Sequence, residues 1–413
     1  MKTTTRLILL AGALVPAFAS ATFAQLTEPA SLDSSRAYEA ELLNDASART
    51  SLLADGGSSG FANGKFTLTD GGANTLIVGG YFQTRYLMNF RDGQPNQEDF
   101  TNGFEMRRTR LFFTGTIWDK HLTYMIQPEF SRSSGLLVLQ DAFGKYTWDN
   151  GVYVRWGQYK LPLLREELVS DTYLLAVDRS AVNATFTQNR SQGVGLGYAQ
   201  GSWRVMGDFS DGVNTLNTDF NDAATEADYA LTGRAEWMFA GTDFKRFDDN
   251  TSWKESDYAG MLGGALHWQS GGNTGFTSDV DLFEATADCS VEGNGWNAFV
   301  EGVWRQTKVP GTTMNDYGFV AQAGVFLTDQ VEVFGRYDVI MPDTGDNFNS
   351  ATGGINYYVT PHSHALKLTG DVVYYFDSTT GTPILNGTNT GIDLLPEQDG
   401  GEVAVRLQMQ VMF

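Results

Sequence analysis

Cysteine is almost absent: Cys289 is the single one in 413 residues. One thiol allows no internal disulfide and no Cys-based zinc site. Histidine is scarce and scattered, at His121, His267, His362 and His364. Basic residues number 28 against 49 acidic, a net charge of -21. Phosphate contacts need Lys and Arg, so this balance argues against a nucleic-acid partner. After the N-terminus no apolar run reaches the roughly 18 residues that a membrane helix requires. A hydrophobic content of 42% is nevertheless too high for a disordered acidic chain.

The N-terminus reads as an export signal. Lys2 and Arg6 precede an apolar stretch from Leu7 to Ala19, and Thr22-Phe23-Ala24 offers a cleavage site before Gln25. Residues 1–24 are the expected signal peptide. Residues 25–74 form an expected periplasmic arm, with a short helix over Ser35–Leu53 and a Gly- and Ser-rich linker over 56–72. The helix is either a mobile arm or a short association element.

From Thr75 the pattern switches to period two. In the last segment Val403, Val405, Leu407, Met409, Val411 and Phe413 alternate with Glu402, Ala404, Arg406, Gln408 and Gln410. Such spacing places one set on each face of a strand. The grammar recurs in sixteen segments, beginning near 75, 103, 121, 136, 151, 191, 202, 226, 257, 276, 294, 315, 329, 349, 363 and 400. Short turns alternate with longer loops at 92–102, 161–190, 210–225, 307–314, 341–348 and 378–399. The stretch 240–256 breaks the rule, being long where a short turn is due. Pro128 within the third segment belongs at a bulge or an outer end.

A soluble sandwich alternates too, but two features favour a membrane. Trp118, Trp148, Trp203, Trp237 and Trp296 fall at one rim, and Trp268 and Trp304 near the other, as in the aromatic girdles of membrane barrels. Full charges occupy the opposite face at mid-strand, where lipid would cost about 2–4 kcal/mol per Arg or Lys. The expected fold is therefore all-β: a transmembrane antiparallel β-barrel of about sixteen strands over 75–413, with a short N-terminal helical arm. Its place is the bacterial outer membrane, among outer-membrane lipid. Phe413 closes an alternating strand at the chain's end and reads as the signal for the barrel-assembly machinery.

Alternation points Arg85, Arg108, Arg110 and Arg155 into the lumen, where forked guanidinium groups suit the oxygens of phosphate or carboxylate. The alternative is that they pair with lumen acids and brace the wall. Predicted lumen charges balance between basic and acidic, which disfavours strict phosphate selectivity. The third loop, 161–190, is the natural constriction, because a loop of this length needs a reason. Its charged set is Lys160 at its base, then Arg165, Glu166, Glu167, Asp171, Asp178, Arg179 and Arg190. Leu163, Leu164, Leu168, Leu174, Leu175 and Val177 could pack it inward; otherwise it caps the outside.

Gly103–Ile117 (GFEMRRTRLFFTGTI), Trp156–Leu163 (WGQYKLPL) and Asp178–Tyr198 (DRSAVNATFTQNRSQGVGLGY) together resemble the phosphate-selective porin family, the O and P porins. The resemblance covers about a quarter of the chain. It implies a sixteen-stranded homotrimeric porin, a pore narrowed by an infolded third loop, and phosphate selection through arginines and constriction lysines. The combined expectation is a general porin passing small hydrophilic solutes and ions, with a local anion site, phosphate included. A structural or adhesion barrel without an open pore is the alternative. His362 and His364 flank Ser363, but no nucleophile, base and orienting acid recur at a usable spacing. No enzyme, metal or cofactor is expected, and the arm is too short for the plug of a TonB-dependent receptor.

Overall fold

The computed structural model describes residues 58–62, 65–92, 98–220, 225–274, 279–380 and 395–413. The expected signal peptide and arm helix lie outside the described residues. Among the described residues eighteen strands follow in chain order. They are β1 (Ser58–Ala62), β2 (Lys65–Thr69), β3 (Thr75–Phe90), β4 (Phe100–Ile117), β5 (Asp119–Phe130), β6 (Leu137–Thr147), β7 (Val152–Lys160), β8 (Arg190–Gln200) and β9 (Trp203–Ser210), then β10 (Tyr229–Ala240), β11 (Ala259–Ser270), β12 (Asp281–Gly293), β13 (Trp296–Val309), β14 (Thr312–Phe326), β15 (Val331–Met341), β16 (Phe348–Tyr358), β17 (Leu366–Tyr375) and β18 (Val403–Met412).

From β3 to β18 each strand pairs antiparallel with the next, and β18 pairs back onto β3 from Val403↔Phe90 to Met412↔Tyr81. The ring is closed at sixteen strands. Closure is what lipid demands, since an open edge would strand backbone donors and acceptors in hydrocarbon. The terminal residue joins the seam: Gly80 N donates to Phe413 O at 2.7 Å and Phe413 N to Gly80 O at 2.9 Å.

All sixteen expected segments form strands, within a few residues of the expected starts. Two local expectations change. Part of the linker over 56–72 is a hairpin, β1–β2, whose second strand continues the seam below Phe413 through Phe66↔Val78 and Thr69↔Thr75. The loop expected over 307–314 is only a two-residue turn at Pro310–Gly311, because β13 and β14 stay paired as far as Val309↔Thr312. Gly311 takes φ +86° there, which a side chain would resist. Pro128 does sit at a register shift, between Gln127 and Pro128.

The two faces of the wall separate as the alternation requires. Trp118, Trp148, Trp203, Trp237 and Trp296 are exposed outward at the rim that bears Phe413, and Trp268 is exposed toward the other. Trp203 and Trp237 oppose one another on β9 and β10 and stack at 6.2 Å. The inward face carries the charge, and its burial is uneven. Lumen-facing residues of β11, β12 and β15–β18 are almost all buried, whereas Met125, Gln127, Phe143, Lys145 and Arg155 on β5–β7 remain partly exposed.

Candidate functional site

The third loop lies inside the barrel. Leu161, Leu163, Leu164, Leu174, Leu175 and Val177 are all at most 3% exposed, so the outward-cap alternative does not hold. Two short helices order it, α1 (Arg165–Leu168) and α2 (Ala181–Phe186). Ser180 caps α2 by accepting from Asn183 N at 2.9 Å. Ala181, Val182 and Phe186 of α2, with Leu164, pack on an apolar lumen patch that includes Val303, Val320, Ile340 and Val373. Gly318 on β14 permits the contact, since a Cβ there would overlap Phe186 and Val182.

A buried loop must satisfy its own backbone. Here wall side chains do it. Arg234 donates to Leu163 O at 3.0 Å, Lys367 to Leu174 O at 2.8 Å, Asn356 to Leu175 O at 3.1 Å and Arg336 to Asp178 O at 2.8 Å. Arg305 reaches Thr185 O at 2.9 Å. In the other sense, Glu301 accepts from Arg165 N at 2.6 Å and Asp371 from Val177 N at 2.9 Å. Many of the lumen charges therefore hold the loop.

The arginines of β3 and β4 converge on two loop carboxylates. Arg85 meets Asp178 at 2.6 Å, Arg108 meets Asp178 at 3.3 Å and Asp171 at 3.3 Å, and Arg110 meets Asp171 at 2.5 Å and Glu129 at 2.7 Å. Burial alone would raise both aspartates. The surrounding cations outweigh it, Arg85, Arg107 and Arg108 at Asp178 and Arg108, Arg179 and Arg110 at Asp171, and hold both well below the ordinary carboxylate range. Both therefore stay ionised. Arg85, Arg108 and Arg110 do form one cluster, and its charge is met by the loop aspartates and by Glu105 and Glu129 of the wall.

Arg155 stands apart from that cluster. On β7 it reaches across β8 to Asp208 on β9, at 3.0 Å, with its guanidinium 3.8 Å from the Tyr159 ring centroid. The crossing depends on glycine: a Cβ on Gly195 of β8 would overlap Asp208, and one on Gly197 would overlap the Tyr153 ring. The Gly-x-Gly-x-Gly run of β8 thus clears its lumen face. The remaining loop charges also find partners inside. Glu166 accepts from Ser180 N at 2.8 Å, Lys160 meets Glu167 at 3.3 Å, Arg179 pairs with Asp171, and Arg190 meets Asp141 at 2.8 Å. Arg165 is buried, with Nε and Nη1 unpartnered among the described residues.

Two features lie beyond what alternation can show. Arg107 joins the cluster at 3.7 Å from Asp178 because the β3–β4 register shifts beside it, and no sequence signal marks that bulge. Lys145 on β6, opposite Arg155, has no ion pair among the described residues; its ammonium lies 3.9 Å from the Tyr153 ring centroid. The lumen tally also gains acids: Glu284, Asp288 and Glu292 of β12 alternate inward and are buried.

Residues 79–261 match the family described as phosphate-selective porin O and P. A search of curated protein sequences gives no match. Among solved structures, an anion-selective porin from Comamonas acidovorans superposes with a TM-score of 0.57 at 14% identity, covering 82% of this chain and 99% of that one. The trimer form of OmpT, an outer-membrane protein of Vibrio cholerae, gives 0.52 at 12% identity, covering 82% and 99%. OmpF of Salmonella typhi, in complex with daunomycin, gives 0.53 at 12% identity, covering 83% and 98%. At such identities the superpositions speak for the fold. The fold they share with this chain is a porin-type barrel, and the family match lies within it, over residues 79–261.

The clamp yields a prediction. Stripping one partner from a buried pair costs about 3–5 kcal/mol, so Asp178→Asn should loosen the loop from β3 and β4 and uncover arginine charge. Reversal potentials in a salt gradient should shift toward anions and single-channel conductance should rise. Unchanged values would mean that Asp178 does not hold the constriction.

Proposed function

We propose that the chain forms a passive diffusion channel for small hydrophilic solutes and ions, with small anions favoured along one wall. The observation that carries this reading is the uneven lumen. The loop fills the side lined by β11–β18, and the wall of β5–β7 keeps partly exposed polar groups. On that wall Lys145 has no acid partner among the described residues and lies near Arg155 and Arg204. A partly dehydrated ammonium beside two guanidinium groups favours chloride- or phosphate-sized anions over cations.

The expected anion site at Arg85, Arg108, Arg110 and Arg155 is accordingly redistributed. The first three support a bracing role, and Arg155 supports contact with solute next to Lys145. Dedicated phosphate selectivity has less support, because the lumen carries the additional acids of β12. The histidines support a channel rather than a hydrolase: His362 and His364 pack on Trp253, and His364 is bonded to Asp249 at 2.8 Å. Assembly as a homotrimer is proposed by analogy with the trimeric OmpT form. A second reading, a filled barrel without conduction, draws on the buried β11–β18 side.

Planar-bilayer recording separates the readings. Wild type should give discrete conductance steps with a reversal potential on the anion side, and Lys145→Glu should move that potential toward cations. A silent wild type favours the filled barrel, and an unmoved potential in Lys145→Glu removes Lys145 from the path.

Phe413 is proposed as the contact for the barrel-assembly machinery. Its backbone closes the seam with Gly80 while its ring stays half-exposed. Deleting Phe413 should lower the yield of folded, heat-modifiable barrel in the outer membrane; an undiminished yield would refute the role.

A further inference from the structure

The connection from β10 to β11 is long at a rim where most turns are tight, and neither the alternation nor the family resemblance accounts for it. It runs from Gly241 to Tyr258 and contains a short 3₁₀ helix, Phe244–Asp248. It does not hang free. Phe247 packs with Met238, Ala259 and Met261, anchoring the segment to the inner ends of its own two strands. From there it reaches along the rim. Asp248 lies 3.6 Å from Arg204 on β9, and Arg246 lies 2.6 Å from Glu292 on β12. Ser252 Oγ donates to Gly293 O at 2.6 Å, and Lys254 lies 3.4 Å from Asp329 in the β14–β15 turn. Thr251 bonds Tyr358 OH at 3.0 Å, and Asp249 meets His364 beside β17 at 2.8 Å. These anchors run from β9 to β17, nine strands of the sixteen-strand ring.

The same segment touches the third loop. Asn250 N donates to Tyr173 O at 3.2 Å. Trp253 sits among Phe326, Tyr358, His362 and His364, with ring centroids 4.8–5.4 Å away, and Tyr173 closes on His364 at 4.9 Å. A void of about 20 Å³ separates Arg165 of the loop from Phe247, Asn250 and Glu292. That volume suits about one water, and Arg165 turns two unpartnered nitrogens on this polar seam. The contact is thus a set of hydrogen bonds and ring edges, unlike the apolar packing that fixes α2.

We infer that residues 241–258 form a second, inner constriction in series with the third loop, which narrows the periplasmic mouth to the β3–β8 side and props the loop from below. The segment covers the same side of the lumen that the loop fills. A solute passing Lys145 meets its edge at Arg204, whose guanidinium lies 4.9 Å from the Phe244 ring centroid and pairs with Asp248. The aperture at that end is therefore set by Phe244, Arg204 and Asp248 rather than by the third loop.

The inference rests on the channel reading, and its test separates the two. Single-channel conductance is compared between wild type and a chain in which 243–256 is replaced by a two-residue turn. Folding is checked by heat-modifiable migration. Freeing half of the mouth should raise conductance by about twofold and add current flicker as the loop loses its prop. The second variant carries Arg246→Gln, Asp248→Asn and Asp249→Asn, which keep the segment's length and remove its rim ion pairs. It should flicker at higher conductance than wild type. Channels that conduct equally in all these forms overturn the inner constriction while the porin reading stands. A wild type and variants that are all silent remove both.

Discussion

A peptide segment enclosed in a barrel must place every backbone carbonyl and amide against a partner, and the rest of this lumen is arranged around that requirement. The third loop carries its polar backbone into a water-poor interior. Arg234, Arg305, Arg336, Lys367 and Asn356 receive its carbonyls, while Glu301 and Asp371 receive its amides. Each of these wall groups is itself charged or polar, and all but the half-buried Arg305 are buried, so acids and bases must occur together. The near balance of lumen charge follows from this structural demand. It is not the signature of a selectivity filter.

The consequence for transport is asymmetry. The side of the barrel lined by β11–β18 is a packed interior, with the apolar patch under α2 and the arginine–aspartate clamp beside it at the seam. The wall of β5–β7 keeps partly exposed lumen groups. Lys145 is informative because it belongs to neither network. Among the described residues it has no ion pair, so we propose that it acts on passing ions, whereas Arg85 is already committed to Asp178. The glycines of β8 belong to the same logic, since they leave the floor over which Arg155 and Tyr153 extend.

Much of the fold was legible because lipid enforces a simple grammar. Sixteen strands, their facing and the aromatic rims all follow from period-two alternation under a closed-ring constraint. The inward path of the third loop was legible from its length and its leucines. What alternation cannot reveal is pairing across the lumen. Arg85, Arg108 and Arg110 were correctly faced, but their partners Asp171 and Asp178 lie 61 to 93 residues away, on a segment with no period. Arg107 was missed because a one-residue register shift is silent in sequence. Lys145 falls on the lumen face by alternation, but only geometry shows that no acid among the described residues reaches it. The hairpin β1–β2 was hidden because a Gly- and Ser-rich stretch reads as linker until a neighbouring edge recruits it.

The central claim is that water follows the β5–β7 wall and is excluded from the opposite one. Thiol accessibility in membrane-assembled protein tests it most directly, with Cys289 replaced by serine and single cysteines introduced at Met125, Lys145, Gln322 and Thr369. A small charged methanethiosulfonate should label positions 125 and 145 readily and positions 322 and 369 hardly at all. Comparable labelling at all four positions would contradict the account, because it would mean that the loop and the wall of β14–β17 are parted by water.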